Sequence, residues 1–164
     1  MKVSFVRTGK RRYAVEVRRT CYPDLRCGSI GYDEWLPHDL LHYVAEAEYG
    51  LDGGVFGDLA AGGNARIFAP VDKELVAKMW RRQRIRPTRL PDGRRSEELA
   101  GQLERGWRER TLSASLLRKL DDLAARWHAL QVGGSLTLEW PRPEGRRRHP
   151  SRNRRRPATA RRRQ

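Results

Sequence analysis

The sequence has few of the features that would place a protein in a membrane or outside the cell. Its longest apolar runs span only a few residues, whereas a helix that crosses a bilayer needs roughly 20. The basic residues 10–12 interrupt the beginning of the chain before an apolar signal region can form. Cysteine is scarce, with only Cys21 and Cys27. We therefore expect a cytoplasmic protein without a membrane segment, in which both thiols stay reduced.

Lysine is also scarce, because 30 of the 35 basic residues are arginine. Two thirds of the formal net charge of +15 lies in residues 141–164, which contain 11 arginines, a single glutamate and no aromatic or large aliphatic side chain. Such a segment cannot bury enough apolar surface to offset the entropy lost on ordering. The sequence therefore predicts one globular domain over residues 1–140 and a disordered Arg-rich tail over residues 141–164.

The tail contains three arginine triplets, and a polyanion would attract them in a strongly salt-dependent manner. No aromatic residue lies among the arginines, so we do not expect base stacking. One interpretation is nonspecific binding of RNA or DNA. The other is a solvated, low-complexity segment that reflects an arginine-biased composition. The residues that would bind nucleic acid are Arg146, Arg147, Arg148, Arg154, Arg155 and Arg156.

Alternating apolar residues predict three strands. Residues 2–7 and 12–19 alternate on either side of Gly9, which is typical of a β-hairpin. A third alternating run, residues 135–140, would bury Leu136, Leu138 and Trp140. A lone strand would leave its backbone groups unsatisfied, so we expect this run to pair with the hairpin.

Between these strands the pattern is helical. It predicts helices from Pro37 to Gly50, within residues 53–63, over residues 72–84, and over residues 96–131 with a break near Thr111. Apolar residues spaced 4, 3, 4, 3 in the last region indicate an amphipathic helix that packs on its own domain. The predicted fold class is α+β: a small antiparallel sheet, made of the hairpin and the C-terminal strand, packed with three or four helices.

The first predicted helix carries the only pair of histidines with metal-ligand spacing. His38 and His42 lie one turn apart, and Glu46 falls within about 80° of them on a helical wheel. Histidines at positions i and i+4 can bind one zinc ion. Asp39, three residues before His42, would then orient the ring of His42 as a hydrogen-bond acceptor.

The sequence leaves the third ligand open. Glu46 shares the polar face of the histidines but lies about 12 Å along the helix axis from His38. Asp52 and Asp58 in the following Gly-rich turn, or Glu34 just before the helix, are at least as well placed. Two histidines and one carboxylate would leave a coordination position for water, as a catalytic zinc requires.

A second set of zinc ligands would combine the cysteines with the histidines. Cys21, Cys27, His38 and His42 have the ligand inventory of a Cys2His2 finger, but five residues separate the cysteines where a finger has roughly two to four. The carboxylate-completed site is therefore favoured over the cysteine site. In the alternative without metal, the histidines form hydrogen bonds at the surface or in a cleft.

Residues 38–42, His-Asp-Leu-Leu-His, resemble the His-Asp-x-x-His helix of the zinc proteins of ubiquinone biosynthesis. The resemblance implies that His38 and His42 are ligands and that Asp39 is their neighbour. In that family a glutamate twelve residues after the second histidine completes the site. The same position here is Gly54, so the third ligand of the family pattern is missing.

Two functions of different classes follow from the sequence. In the first, the domain is a small zinc-binding protein, hydrolytic or lyase-like, with water on the metal. In the second, it is a noncatalytic adaptor or nucleic-acid-associated protein that binds polyanions through its Arg-rich tail, and the histidines are incidental.

Overall fold

The computed structural model describes residues 1–32, 35–65, 67–72, 74, 90–142 and 144. The predicted helix over residues 72–84 lies outside the described residues except for 72 and 74, and most of the predicted tail lies outside them as well. The described elements are β1 (Lys2–Gly9), β2 (Arg12–Arg18), β3 (Leu25–Gly31), α1 (His38–Tyr49), α2 (Val55–Ala60), β4 (Ala69–Pro70), α3 (Gly93–Arg108), α4 (Ala114–His128) and β5 (Ser135–Glu139).

The strands form one antiparallel sheet in the order β4-β3-β2-β1-β5. The predicted hairpin is confirmed, with Val3 opposite Val17 and Phe5 opposite Val15. The predicted pairing of the C-terminal strand is also confirmed, because Leu136 of β5 lies opposite Phe5. The sheet is larger than expected, since β3 and β4 extend it beyond β2. The fold class is α+β, as predicted.

The core lies between this sheet and the helices. The inward side chains of the hairpin are buried together with Leu136 and Trp140, whereas Leu138 is only partly buried. Four aromatic rings join β1 to α1 and α2: Phe5, Tyr43, Phe56 and Trp140, with centroid distances of 5.3–6.2 Å between neighbours. Burial of each such side chain stabilises the fold by about 1.5–3 kcal/mol, so these rings fix α1 and α2 on the sheet.

Helix α1 begins and ends where the sequence predicts. Pro37 precedes its first turn, and Gly50 ends it in the left-handed region at φ 69°. The guanidinium of Arg142 then donates to the carbonyls of Glu46 and Leu51, at 2.9 and 3.3 Å. Glu144 accepts hydrogen bonds from two backbone N–H groups after β2. Contacts with the domain therefore continue past the predicted boundary at residue 140.

Helices α3 and α4 are separate, which confirms the predicted break near Thr111. Arg110 adopts φ 58° in the connection and pairs with Asp121 through both carboxylate oxygens, at 2.7 and 2.8 Å. Ser113 caps the beginning of α4. Both helices bury one apolar face and expose charged residues on the other. In the described part of the chain, no helix combines the length and the apolar character needed to cross a membrane.

Candidate metal centre

The packing of α1 against α3 brings three potential metal ligands together. Glu97 Oε1 lies 3.1 Å from Nε2 of His38, and Glu97 Oε2 lies 2.9 Å from Nε2 of His42. One ligand atom from each of these residues lies within 4.8 Å of the other two. The two imidazole rings are perpendicular, with their centroids 4.7 Å apart. Both histidines therefore direct a ring nitrogen at one carboxylate from a different helix.

These separations suit a small cation held between the three side chains. Zinc bonds to nitrogen and oxygen of about 2.0–2.2 Å in a tetrahedron place neighbouring ligand atoms about 3.3–3.5 Å apart. The two nitrogen–oxygen distances here fall slightly below that range. The two histidine ligand atoms lie within 4.8 Å of each other, so the side chains would have to shift to coordinate an ion.

The site is buried on one side and open on the other. The side chain of His42 is 7% exposed, whereas those of His38 and Glu97 are 50% and 66% exposed. His42 thus faces the interface between the helices, and the other two ligands face solvent. A bound ion would be reachable by water and by a ligand from solution.

Electrostatics favour the forms of His42 and Glu97 that bind metal. Burial, reinforced by the neighbouring ring of His38, lowers the pKa of His42. Burial acts to raise the pKa of Glu97, but hydrogen bonds and charge interactions with the two imidazoles outweigh it and hold that pKa below its ordinary value. Metal binding requires neutral imidazole and ionised carboxylate, and the environment promotes both.

Behind the ligands, a buried hydrogen-bond chain supports His42. Its Nδ1 lies 2.7 Å from the hydroxyl oxygen of Ser96, at the first turn of α3. The Ser96 hydroxyl donates to Glu46 Oε1 at 2.6 Å. Ser96 and Glu46 are both fully buried. The inner side of the site is therefore a polar connection between α1 and α3.

The Glu46 carboxylate also caps the beginning of α2. It accepts backbone N–H bonds from Val55, Phe56 and Gly57 at 2.6, 2.8 and 3.1 Å. Burial raises the pKa of Glu46, while the Ser96 hydroxyl and the three N–H donors oppose that shift. A Cβ at Gly54 would lie 2.3 Å from this carboxylate, so only glycine leaves room for it.

Three of the four carboxylates proposed from the sequence as the third ligand lie elsewhere. Glu46 points away from the two Nε2 atoms, to α2 and Ser96. Asp52 pairs with Arg142 at 3.1 Å. Asp58 is buried and accepts the N–H of Ala65 at 3.1 Å. Glu34 lies outside the described residues. Within the part of the chain that the structure describes, Glu97 is the carboxylate that meets both histidines.

The proposed orienting role of Asp39 also differs from the structure. Asp39 accepts a hydrogen bond from the hydroxyl of Tyr13 at 2.7 Å, and Nδ1 of His42 contacts Ser96 instead. The physical reason is the orientation of the ring, because Nδ1 of His42 faces the Ser96 hydroxyl on α3. Asp39 remains close enough to His42 to influence its charge.

The cysteines do not approach the histidines as zinc ligands. Cys21 is exposed after β2, and Cys27 is buried in β3 opposite Val15. Burial, with Asp39 nearby, raises the pKa of the Cys27 thiol, whereas zinc binds the thiolate. The ligand group found among the described residues includes neither cysteine.

No local pattern in the sequence marks Glu97 or Ser96 as part of the site. They lie 59 and 54 residues from the histidines they contact, and they reach them only because α1 and α3 pack together. Glu97 belongs to a charged stretch, residues 94–98, that resembles any solvated helix surface. A third ligand that arrives from another helix leaves no spacing pattern to detect.

Comparison with known proteins gives no relative of this chain: no family model, no curated protein and no solved structure matches it. The resemblance of residues 38–42 to a zinc helix therefore stays a prediction, and the geometry of this site is what indicates a function.

Proposed function

We propose that this protein binds one divalent metal ion, zinc foremost, through His38, His42 and Glu97. The observation that carries the proposal is the convergence of two imidazole nitrogens and a carboxylate from separate helices within 4.8 Å. Two nitrogens and one oxygen are a ligand set that zinc accepts, and iron(II) accepts the same set. The open side of the site adds a place for a water molecule or a substrate atom.

The proposal includes a function for that open position. Three protein ligands with a fourth position free are typical of catalytic zinc, which lowers the pKa of a bound water to about 7. A hydrolytic or lyase-like reaction is the chemistry that such a site supports. His38 and Glu97 are half or more exposed, so a substrate in solution would reach the ion directly.

Glu97 also accounts for the gap in the resemblance to the zinc helix. The family pattern places its third ligand at the position of Gly54. Here the space beside Gly54 is filled by the Glu46 carboxylate, so a side chain at that position would have no room. We propose that Glu97 supplies the missing ligand from α3.

The first experiment is elemental analysis of the purified, untagged protein after incubation with zinc and with iron(II). We expect about one zinc ion per chain. Glu97→Gln and His38→Ala should each lower the zinc affinity by at least about tenfold, because each removes a ligand. Glu98→Gln is the matched control, since Glu98 is a neighbouring exposed carboxylate that pairs with Arg94 and Arg95. Absence of bound metal in the wild type, or equal loss in the control, would contradict the proposal.

A further inference from the structure

We infer that Glu46 and Ser96 are positioning residues, which hold the ring of His42 with its proton on Nδ1 and its lone pair on Nε2. As a statement about metal binding the inference rests on the proposed function. The position of the ring proton is a separate property of the metal-free protein. It can be measured whether or not an ion binds.

The direction of the hydrogen-bond chain is set by Glu46. Its carboxylate accepts from three backbone N–H groups and from the Ser96 hydroxyl. A backbone N–H can only donate, and an ionised carboxylate can only accept. When Glu46 is ionised, which is the form that its three N–H donors favour, the single proton of the Ser96 hydroxyl is committed to Glu46.

The hydroxyl oxygen of Ser96 can then only accept from His42. Nδ1 lies 2.7 Å from that oxygen and must carry the proton, because two lone pairs would otherwise face each other. In a neutral imidazole the proton on Nδ1 leaves Nε2 as a bare acceptor. The buried chain therefore selects one of the two tautomers.

The selected tautomer creates a position that needs a cation. Nε2 of His42 lies 2.9 Å from Glu97 Oε2, and when Nε2 carries no proton its lone pair is repelled by that carboxylate oxygen. A metal ion or a proton between the two atoms removes this repulsion. A proton would leave the ring charged as an imidazolium, whereas a metal ion binds the neutral ring. The ring is therefore prepared for a metal ion by residues that do not touch the metal.

Two substitutions would break the chain at different points. Ser96→Ala removes the acceptor of the Nδ1 proton. Glu46→Gln keeps the size of the side chain, but its amide would donate to Ser96, turn the hydroxyl proton towards Nδ1 and move the ring proton to Nε2. Leu103→Ala is the control for general destabilisation of α3, because Leu103 is buried on the same helix and lies two turns from Ser96.

The ring proton is located by nitrogen-15 NMR of the metal-free full-length protein at pH 8.5, which distinguishes protonated from bare ring nitrogens. We expect the proton of His42 on Nδ1 in the wild type and in Leu103→Ala. In Ser96→Ala and Glu46→Gln we expect a mixture or a shift to Nε2. A wild-type proton on Nε2 would overturn the inference without any variant having to fold.

Zinc affinity, measured by competition with a chromogenic chelator, tests the consequence. Loss of a residue that orients a ligand typically weakens metal binding about 10- to 100-fold, and we expect that loss in Ser96→Ala and Glu46→Gln but not in Leu103→Ala. Unchanged affinity in both variants would overturn the positioning role. A wild type that binds no zinc yet shows the Nδ1 proton would contradict the proposed function and support the hydrogen-bond chain on its own.

Discussion

The inner and outer halves of the candidate site each contain a histidine and a glutamate, but the inner residues are buried and the outer ones are exposed. The inner half consists of His42, Ser96 and Glu46, all buried and joined in one hydrogen-bond chain. The outer half consists of His38 and Glu97, both at least half exposed. The two histidines lie one turn apart on α1 but therefore differ in how freely their side chains can move. Folding fixes the inner ring, whereas the outer pair can adjust to an ion.

The largest expected effect is on stability, from removal of the inner carboxylate. Glu46→Ala would leave four donors without their acceptor, three of them buried, and each unpaired buried donor costs about 1–3 kcal/mol. We expect the free energy of unfolding to fall by at least about 3 kcal/mol, measured by urea denaturation.

The matched variant in the outer half is Glu97→Ala. Exposed side chains usually change the free energy of unfolding by less than about 0.5 kcal/mol, so this variant should remain as stable as the wild type in the absence of metal. Equal destabilisation by Glu46→Ala and Glu97→Ala would contradict the view that only the inner half of the site contributes to folding stability.

A smaller effect is expected from two glycines. Gly54→Ala would place a Cβ 2.3 Å from the Glu46 carboxylate, and overpacking of this kind costs about 1–3 kcal/mol. Gly101→Ala lies within α3, where a Cβ meets only the end of the Arg105 side chain at 3.6 Å, and should add about 0.5–1 kcal/mol. Thermal unfolding followed by circular dichroism should show a lower midpoint temperature for Gly54→Ala and a higher one for Gly101→Ala. A neutral Gly54→Ala would mean that the carboxylate can move without loss.

The smallest expected effect on the folded domain comes from deletion of residues 145–164. Because the residues of both halves of the site lie between positions 38 and 97, we expect the free energy of unfolding to change by less than about 0.5 kcal/mol and the zinc affinity by less than about twofold. Binding of a random-sequence RNA should weaken at least about tenfold in low salt and lose its steep salt dependence. Replacement of the ten arginines in this segment by lysine keeps the charge and should keep the binding. RNA affinity that survives the deletion would contradict the predicted role of the tail.

Much of the fold was predictable because its signals are local. The hairpin and β5 carry alternating apolar residues, and α1 is delimited by Pro37 and Gly50. Strand β3 was missed because Gly28 and Gly31 weaken its apolar pattern, although Leu25 and Cys27 are buried. Strand β4 has two residues, too few for any periodicity.

The site was predictable only in part, for a related reason. The two histidines share one helix, so their spacing indicates a common face. Glu97 and Ser96 depend on how α3 packs on α1, and that contact is a property of the whole core. Glu46 shows the opposite problem. It lies on the same helix face as the histidines, but its carboxylate accepts hydrogen bonds from the N–H groups of α2 and so does not join them.

The anchoring of Glu46 has a consequence for how the molecule opens. Helix α2 has six residues, fewer than an isolated helix needs to persist in water, and its first N–H groups depend on a side chain from α1 that also binds α3. Local opening of any of the three helices in this region would break bonds in the other two. Amide hydrogens at the beginning of α2 should therefore exchange with solvent in step with those at the beginning of α3, as one cooperative unit.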